Sequence, residues 1–216
     1  PPVPSEGILE ITSKGFGFLR QRSRHWAQDP QDPWVSPEWI RNLGLREGLF
    51  VKGVERMGGR GPQLVEVTEV NGLPPGNIRD LPLFEELKAV NPNKRIQLET
   101  RPDRLTTRVI DLITPVGRGQ RGLIVAPPRA GKTTLLEHMA EAVIQNHPQL
   151  HLMLLLVDER PEEVTEFRRV LPDAEIHASS NDSDIKNHIR TACFAIERAK
   201  RLVECGQHVF MLLDSI

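Results

Sequence analysis

Apolar positions change their period along this 216-residue chain. Up to about residue 72 they come in short runs with strand spacing. Residues 8–12 are apolar-rich, 16–20 are short and aromatic, and 49–56 and 63–70 alternate. In the last run Leu64, Val65, Val67 and Val70 are mixed with Glu66, Thr68 and Glu69 on the opposite face. Turn residues punctuate these runs at 13–15, 46–48 and 58–62. One short helix interrupts them. Ser36 suits its N-cap, Pro37 its first position, and Gly44 ends it. Several short strands in so few residues predict a small β-barrel over 6–72, of the oligonucleotide-binding (OB) type.

Residues 73–106 are rich in proline and charge and poor in periodicity, and read as a connector, either flexible or extended and packed. From 107 onward strands and helices alternate. Strands are expected at 109–113, 122–125, 151–157, 174–178 and 209–213, and helices at 133–146, 161–170 and 184–205. On the last helix Ile185, Ile189, Ala192, Ile196, Ala199 and Val203 form the expected buried stripe. The fold class is therefore α/β, a small barrel followed by a doubly wound domain over 107–216. The chain stops just past an apolar run, which suggests a piece of a longer protein.

Composition narrows this little. A net charge of −1 announces no polyanion partner, and up to residue 75 nine Lys/Arg face nine Asp/Glu. Any nucleic-acid surface must arise from local arrangement. Cys193 and Cys205 have no metal or disulfide spacing and read as reduced structural residues. No apolar run is long enough to span a membrane and the N-terminus is unlike a signal peptide, so the cytoplasm is expected.

The chemistry concentrates in 121–143, RGLIVAPPRAGKTTLLEHMAEAV. An apolar run enters a loop at 126–131 and then a helix, the context a phosphate-binding loop requires. Ala126 stands where the pattern has its first glycine. Backbone N–H groups of Arg129, Ala130, Gly131 and Thr134 would face phosphates, Lys132 would reach the β- and γ-phosphates, and Thr133 would ligate Mg²⁺. The run MLLDSI ends a strand on Asp214, which fits the acid that holds Mg²⁺ in such NTPases. The segment LLLVDERPEEVTEF brings Asp158 and Glu159 to the carboxyl edge of a sheet, where ligands sit. Glu159 is the candidate to orient an attacking water, with Asp158 as rival, and both could merely start the next helix. Glu162 and Glu163 are expected only to complement its dipole. Last, GFGFLR places Phe16 and Phe18 on one strand face with open glycines beside them. Such a pair can stack bases at about 1–3 kcal/mol each. It can equally fill a barrel core. Lys14, Arg20, Arg22 and Arg24 add positive charge, and Trp26 and Trp34 are further stacking candidates.

Taken together GFGFLR, WVSP, PVGRGQRGLIVAPPRAGKTTLL, VDERPEEVTE and LLDSI resemble the Rho family of bacterial transcription termination factors, across nearly the whole chain. The resemblance implies a cold-shock-like OB barrel and a RecA-like ATPase domain truncated at the Asp214 strand. It implies a hexameric RNA-dependent ATPase and helicase that uses ATP and Mg²⁺, binds single-stranded RNA and moves toward RNA polymerase. Phe16, Phe18, Arg20, Asp32 and Trp34 match the family's primary RNA-binding positions. Arg129, Lys132 and Thr133 match the phosphate loop, Glu159 the catalytic glutamate, and Asp214 the metal-associated aspartate. The small helical region that precedes the family's barrel is missing. The segment GGRGPQLVEV lacks an aromatic that often completes the base pocket. The family's arginine finger and translocation loops lie past 216, so this piece is expected to bind RNA and to hydrolyse ATP poorly. A non-enzymatic RNA-binding module and a rotary-ATPase subunit are the alternatives; the exposed aromatic pair argues against the second.

Overall fold

The computed structural model describes residues 2–127 and 129–215. Pro128, within the expected phosphate loop, and Ile216, at the end of the expected second domain, lie outside the described residues. The chain forms two compact units, one of residues up to Glu86 with Ile189–Gln207, the other of Leu87–His188 with the residues from His208 on.

The first unit is a closed barrel. Strands β1 (Val3–Ile11), β2 (Gly17–Arg20), β3 (Trp34–Val35), β4 (Phe50–Gly58) and β5 (Gly61–Val70) run in the order β1-β2-β3-β5-β4, and β4 returns to β1. All pairs are antiparallel except β3 with β5. Closure leaves no exposed edge to pair with another chain. Leu9, Leu19, Val35, Leu49, Val51, Leu64 and Val70 fill the interior. Helix α1 (Pro37–Leu43) lays Trp39, Ile40 and Leu43 against that core. Its ends are as the residues predict. The Ser36 hydroxyl accepts the Trp39 N–H at 3.3 Å, and Gly44 leaves the helix at a φ of 65°.

Later in the chain, Ile189 onward of α5 (Ile185–Glu204) joins this unit. The face it buries is Thr191, Phe194, Ala195, Arg198, Arg201 and Leu202, not the isoleucine stripe expected from periodicity. Ile185, Ile189 and Ile196 are exposed. The reason is that the buried arginines are paired. Arg198 donates to the carbonyl of Gly48 and to Asn71, and Arg201 meets Glu197 and Glu204. Their long apolar stems pack once their charged ends have partners. Phe194 sits with Ile8 and Trp26 in a small second core. Gly48, with φ 87°, admits the helix, since a Cβ there would lie 2.5 Å from the Arg198 nitrogen.

The second unit holds a parallel sheet in the order β10 (His208–Asp214), β8 (Leu150–Glu159), β9 (Glu175–Ser180). Helices α3 (Lys132–Asn146) and α4 (Pro161–Val170) contribute Leu136, Met139, Ala140, Val143, Val164 and Phe167 to its core. Continuously apolar β8 contributes Leu152, Leu154 and Leu156, as a strand buried on both faces requires. Two expected strands are absent. Residues 109–113 lie in helix α2 (Leu105–Ile113), because Thr107 and Asp111, four apart, are its buried positions. Asp111 accepts the backbone N–H groups of Leu98 and Glu99. Residues 122–125 run without strand hydrogen bonding, with Leu123 and Val125 exposed. Among the described residues no strand pairs with them, and an extended segment becomes a strand only by exchanging backbone hydrogen bonds. A two-residue pairing of β6 (Arg95–Ile96) with β7 (Val116–Gly117) completes the unit.

Candidate functional site

The phosphate-type loop keeps its local geometry without the strand. Arg129 has φ 63° and Gly131 has φ 85°. With open space around it and a left-handed backbone, Gly131 sits where only glycine is unstrained. It starts α3, and no side chain caps the helix's first N–H groups beside Lys132, Thr133 and exposed Thr134. Arg129 and Ala130 are exposed in the turn before it, and the Ala130 N–H bonds the Pro127 carbonyl.

Across from this helix start, the Lys132 Nζ lies 2.5 Å from the Asp214 carboxylate at the end of β10. Asp214 is only 2 % exposed. Its hydrogen bond and charge hold the lysine's pKa above the ordinary value. Beside them, β8 carries a bulge. The ladder to β9 skips from Val157 to Glu159, and Asp158 takes φ 62°. The bulge turns Asp158 out to solvent and leaves Glu159 half-buried. Glu159's carboxyl is pushed up to about 7, first by burial, then by the charge of Asp214 and a hydrogen bond with Glu163. Lys132 opposes that rise. Thus Lys132, Asp214 and Glu159 come together, and the bulge separates Glu159 from its rival. Glu163 is the residue that sequence reasoning undervalued. It lies four residues after Glu159 across the start of α4, a spacing that can put both acids on one side.

In the barrel unit the aromatic residues also come together. Phe16 and Phe18 meet edge to face with ring centres 5.7 Å apart, and Phe16 lies 6.4 Å from Trp34. All three are half-buried. Antiparallel pairing of Phe18 with Trp34 across β2 and β3 brings the rings to one patch. Trp26 is not part of it: at 8 % exposure it belongs to the small core with Ile8 and Phe194. A tryptophan in a left-handed turn, φ 64°, turns inward here.

Arg20 and Asp32 are buried rather than exposed on the patch. The Arg20 Nη1 donates to Asp32 at 2.7 Å and its Nε to Glu10, while its guanidinium lies 5.1 Å from the centre of the Phe18 ring. Asp32 is 2 % exposed and also accepts from Arg24 and from the Asp29 N–H. Neither Glu10 nor its other partner, Arg190, stood out in the sequence. No described helix is long and apolar enough to cross a membrane.

Two family models match. The Rho termination factor RNA-binding domain covers residues 5–76, and the nucleotide-binding domain of the ATP synthase alpha/beta family covers 106–216. Over 98 % of its length the chain is 45 % identical to the transcription termination factor Rho of Aquifex aeolicus and 46 % identical to that of Escherichia coli K12. That of Buchnera aphidicola is 46 % identical over the same share. The chain spans about half the length of these relatives, 50 % in Aquifex and 52 % in the other two. With the phosphate loop, Lys132 and Asp214 gathered in the segment so matched, and the aromatic patch in the one before it, the chain belongs to the ATP synthase alpha/beta nucleotide-binding family and carries a Rho-type RNA-binding domain ahead of it.

Proposed function

We propose that this chain is the RNA-loading and nucleotide-binding part of an RNA-dependent ATPase and helicase that acts in transcription termination. The observation that carries this is the gathering of Lys132, Asp214 and Glu159 at a glycine-started helix, on a chain that also bears the Phe16–Phe18–Trp34 patch. The substrates are ATP and single-stranded RNA. The working form is a homo-hexamer in the cytoplasm that engages the RNA polymerase machinery, as the family resemblance implies.

The residues fit a Mg²⁺-nucleotide. Mg²⁺ takes one or two protein oxygens, and phosphates and water complete its shell. Here Thr133 and the buried carboxylate of Asp214 would be those oxygens. Among the described residues no cluster of three or more His, Cys, Asp or Glu could form an all-protein cage. Bound there, Mg²⁺ supplies charge neutralisation of the phosphates. Lys132 exchanges its contact with Asp214 for the β- and γ-phosphate oxygens. The N–H groups at the start of α3 hold the phosphate chain. Glu159 orients water for in-line attack, for which it must be ionised. In the barrel, Phe16, Phe18 and Trp34 stack bases, while Arg20 and Asp32 hold the rings in place.

Two titrations test this on the chain itself. Fluorescence anisotropy with labelled oligo(C) and oligo(A) RNA over a salt series is expected to give salt-dependent binding. A fluorescent ATP analogue with Mg²⁺ is expected to bind and to lose its affinity at least tenfold in Lys132→Ala. No RNA binding at low salt, or an unaltered nucleotide affinity in the variant, would refute the corresponding half.

A further inference from the structure

Glu10, on β1, is held by three side chains of the barrel unit. Arg190 of α5 clamps it with two parallel bonds, Nε to Oε1 at 2.6 Å and Nη2 to Oε2 at 2.7 Å. Arg20 of β2 donates to Oε2, and Gln28 donates to Oε1 at 3.2 Å. These donors and two guanidinium charges overcome the burial that would otherwise raise its pKa, and hold it below the ordinary value. Arg20 then continues the chain of charges to Asp32, two residues before Trp34, and its guanidinium backs the Phe18 ring. One ionic chain, Arg190–Glu10–Arg20–Asp32, therefore passes against the Phe18 ring and ends two residues before Trp34.

We infer that Arg190 and Glu10 are positioning residues for RNA, acting through Arg20. The inference rests on the aromatic patch being the RNA platform. Arg20 is 5 % exposed, so its direction is set by which carboxylates hold it. With Arg190 in place, Glu10 has a cation of its own, and Arg20 can serve Glu10 and Asp32 together. Without Arg190, two buried carboxylates compete for Arg20, with the Glu47 carboxyl also nearby. Arg20 shifts toward Glu10, loosens from Asp32, and the Phe18 and Trp34 rings lose their common support. Preorganised rings bind more tightly than rings that must be ordered on binding. A residue of α5, 180 positions from its partner, thus sets how well the barrel holds bases.

The test is oligo(C) RNA binding over a salt series by the wild-type chain and by Arg190→Gln, Arg190→Lys and Phe18→Ala, each below its melting onset. Arg190→Gln is expected to weaken binding roughly three- to tenfold, with the slope of log affinity against log salt unchanged. Arg190→Lys, which keeps a charge on Glu10, is expected to recover most of the loss, and is compared with wild type directly if Arg190→Gln does not fold. A slope reduced by about 0.7 would make Arg190 a phosphate contact and overturn the inference. So would wild-type affinity in Arg190→Gln alongside a weakened Phe18→Ala, or a loss in Arg190→Lys equal to that in Arg190→Gln. Wild-type affinity in Phe18→Ala would instead remove the platform itself.

Discussion

Glu159 sits in the field of both the Asp214 carboxylate and the Lys132 ammonium. Glu159 is raised to about 7 by burial first and by Asp214 second. Asp214→Asn removes the like charge and frees Lys132 to face Glu159. Both effects lower the Glu159 pKa, so a carboxyl-carbon NMR titration is expected to find it well below the wild-type value. An unchanged or higher value would separate the two groups. The sign for stability follows. A folded-state pKa raised from 4.5 favours the protonated form, so that contribution is full below 4.5 and lost as pH rises through about 7. The residues gathered here stood out one by one in the sequence, because a phosphate-loop pattern sets glycine, lysine and a hydroxyl at fixed spacing. What separates Glu159 from Asp158 was not. A bulge is one extra residue in a ladder, and it depends on the partner strand β9 rather than on local sequence.

The elements were legible where local rules act. Caps and turn residues gave α1 at both ends, and the apolar run of β8 gave a strand buried on both faces. They were illegible where a partner decides. Residues 122–125 have strand composition and no paired strand among the described residues. Helix α2 has β-branched residues, but its Asp111 bonds two backbone N–H groups of 98–99, which only the tertiary structure supplies. In α5, periodicity pointed to the isoleucine face, and paired arginines buried the other one. The loop that receives α5 carries Glu47, whose carboxyl is raised to about 7 by burial and then by Glu10 and Glu197, against Arg190 and Arg201. Ionising it costs stability only above its unfolded pKa, near 4.5. Glu47→Gln is therefore expected to match the wild type in thermal melts near pH 4.5 and to exceed it increasingly up to pH 8. A difference that is constant with pH would show that Glu47 does not titrate in contact with this helix.

For the whole molecule, the two sets of proposed binding residues fall in different compact units. Phe16, Phe18 and Trp34 belong to the one built on the barrel, and Lys132, Glu159 and Asp214 to the one built on the parallel sheet. Residues that share no partner act nearly additively on binding free energy. Phe16→Ala with Phe18→Ala removes two stacking faces, about 1–3 kcal/mol each, which is roughly 30-fold or more in RNA affinity. The same double variant is expected to bind the ATP analogue as the wild type does. Lys132→Ala is expected to give the reverse pattern, with RNA affinity within twofold of wild type. Measuring both ligands on both variants forms a closed comparison. If either variant moves both affinities beyond that margin, the two sites are energetically coupled within this chain, and the barrel is then more than a separate loading surface.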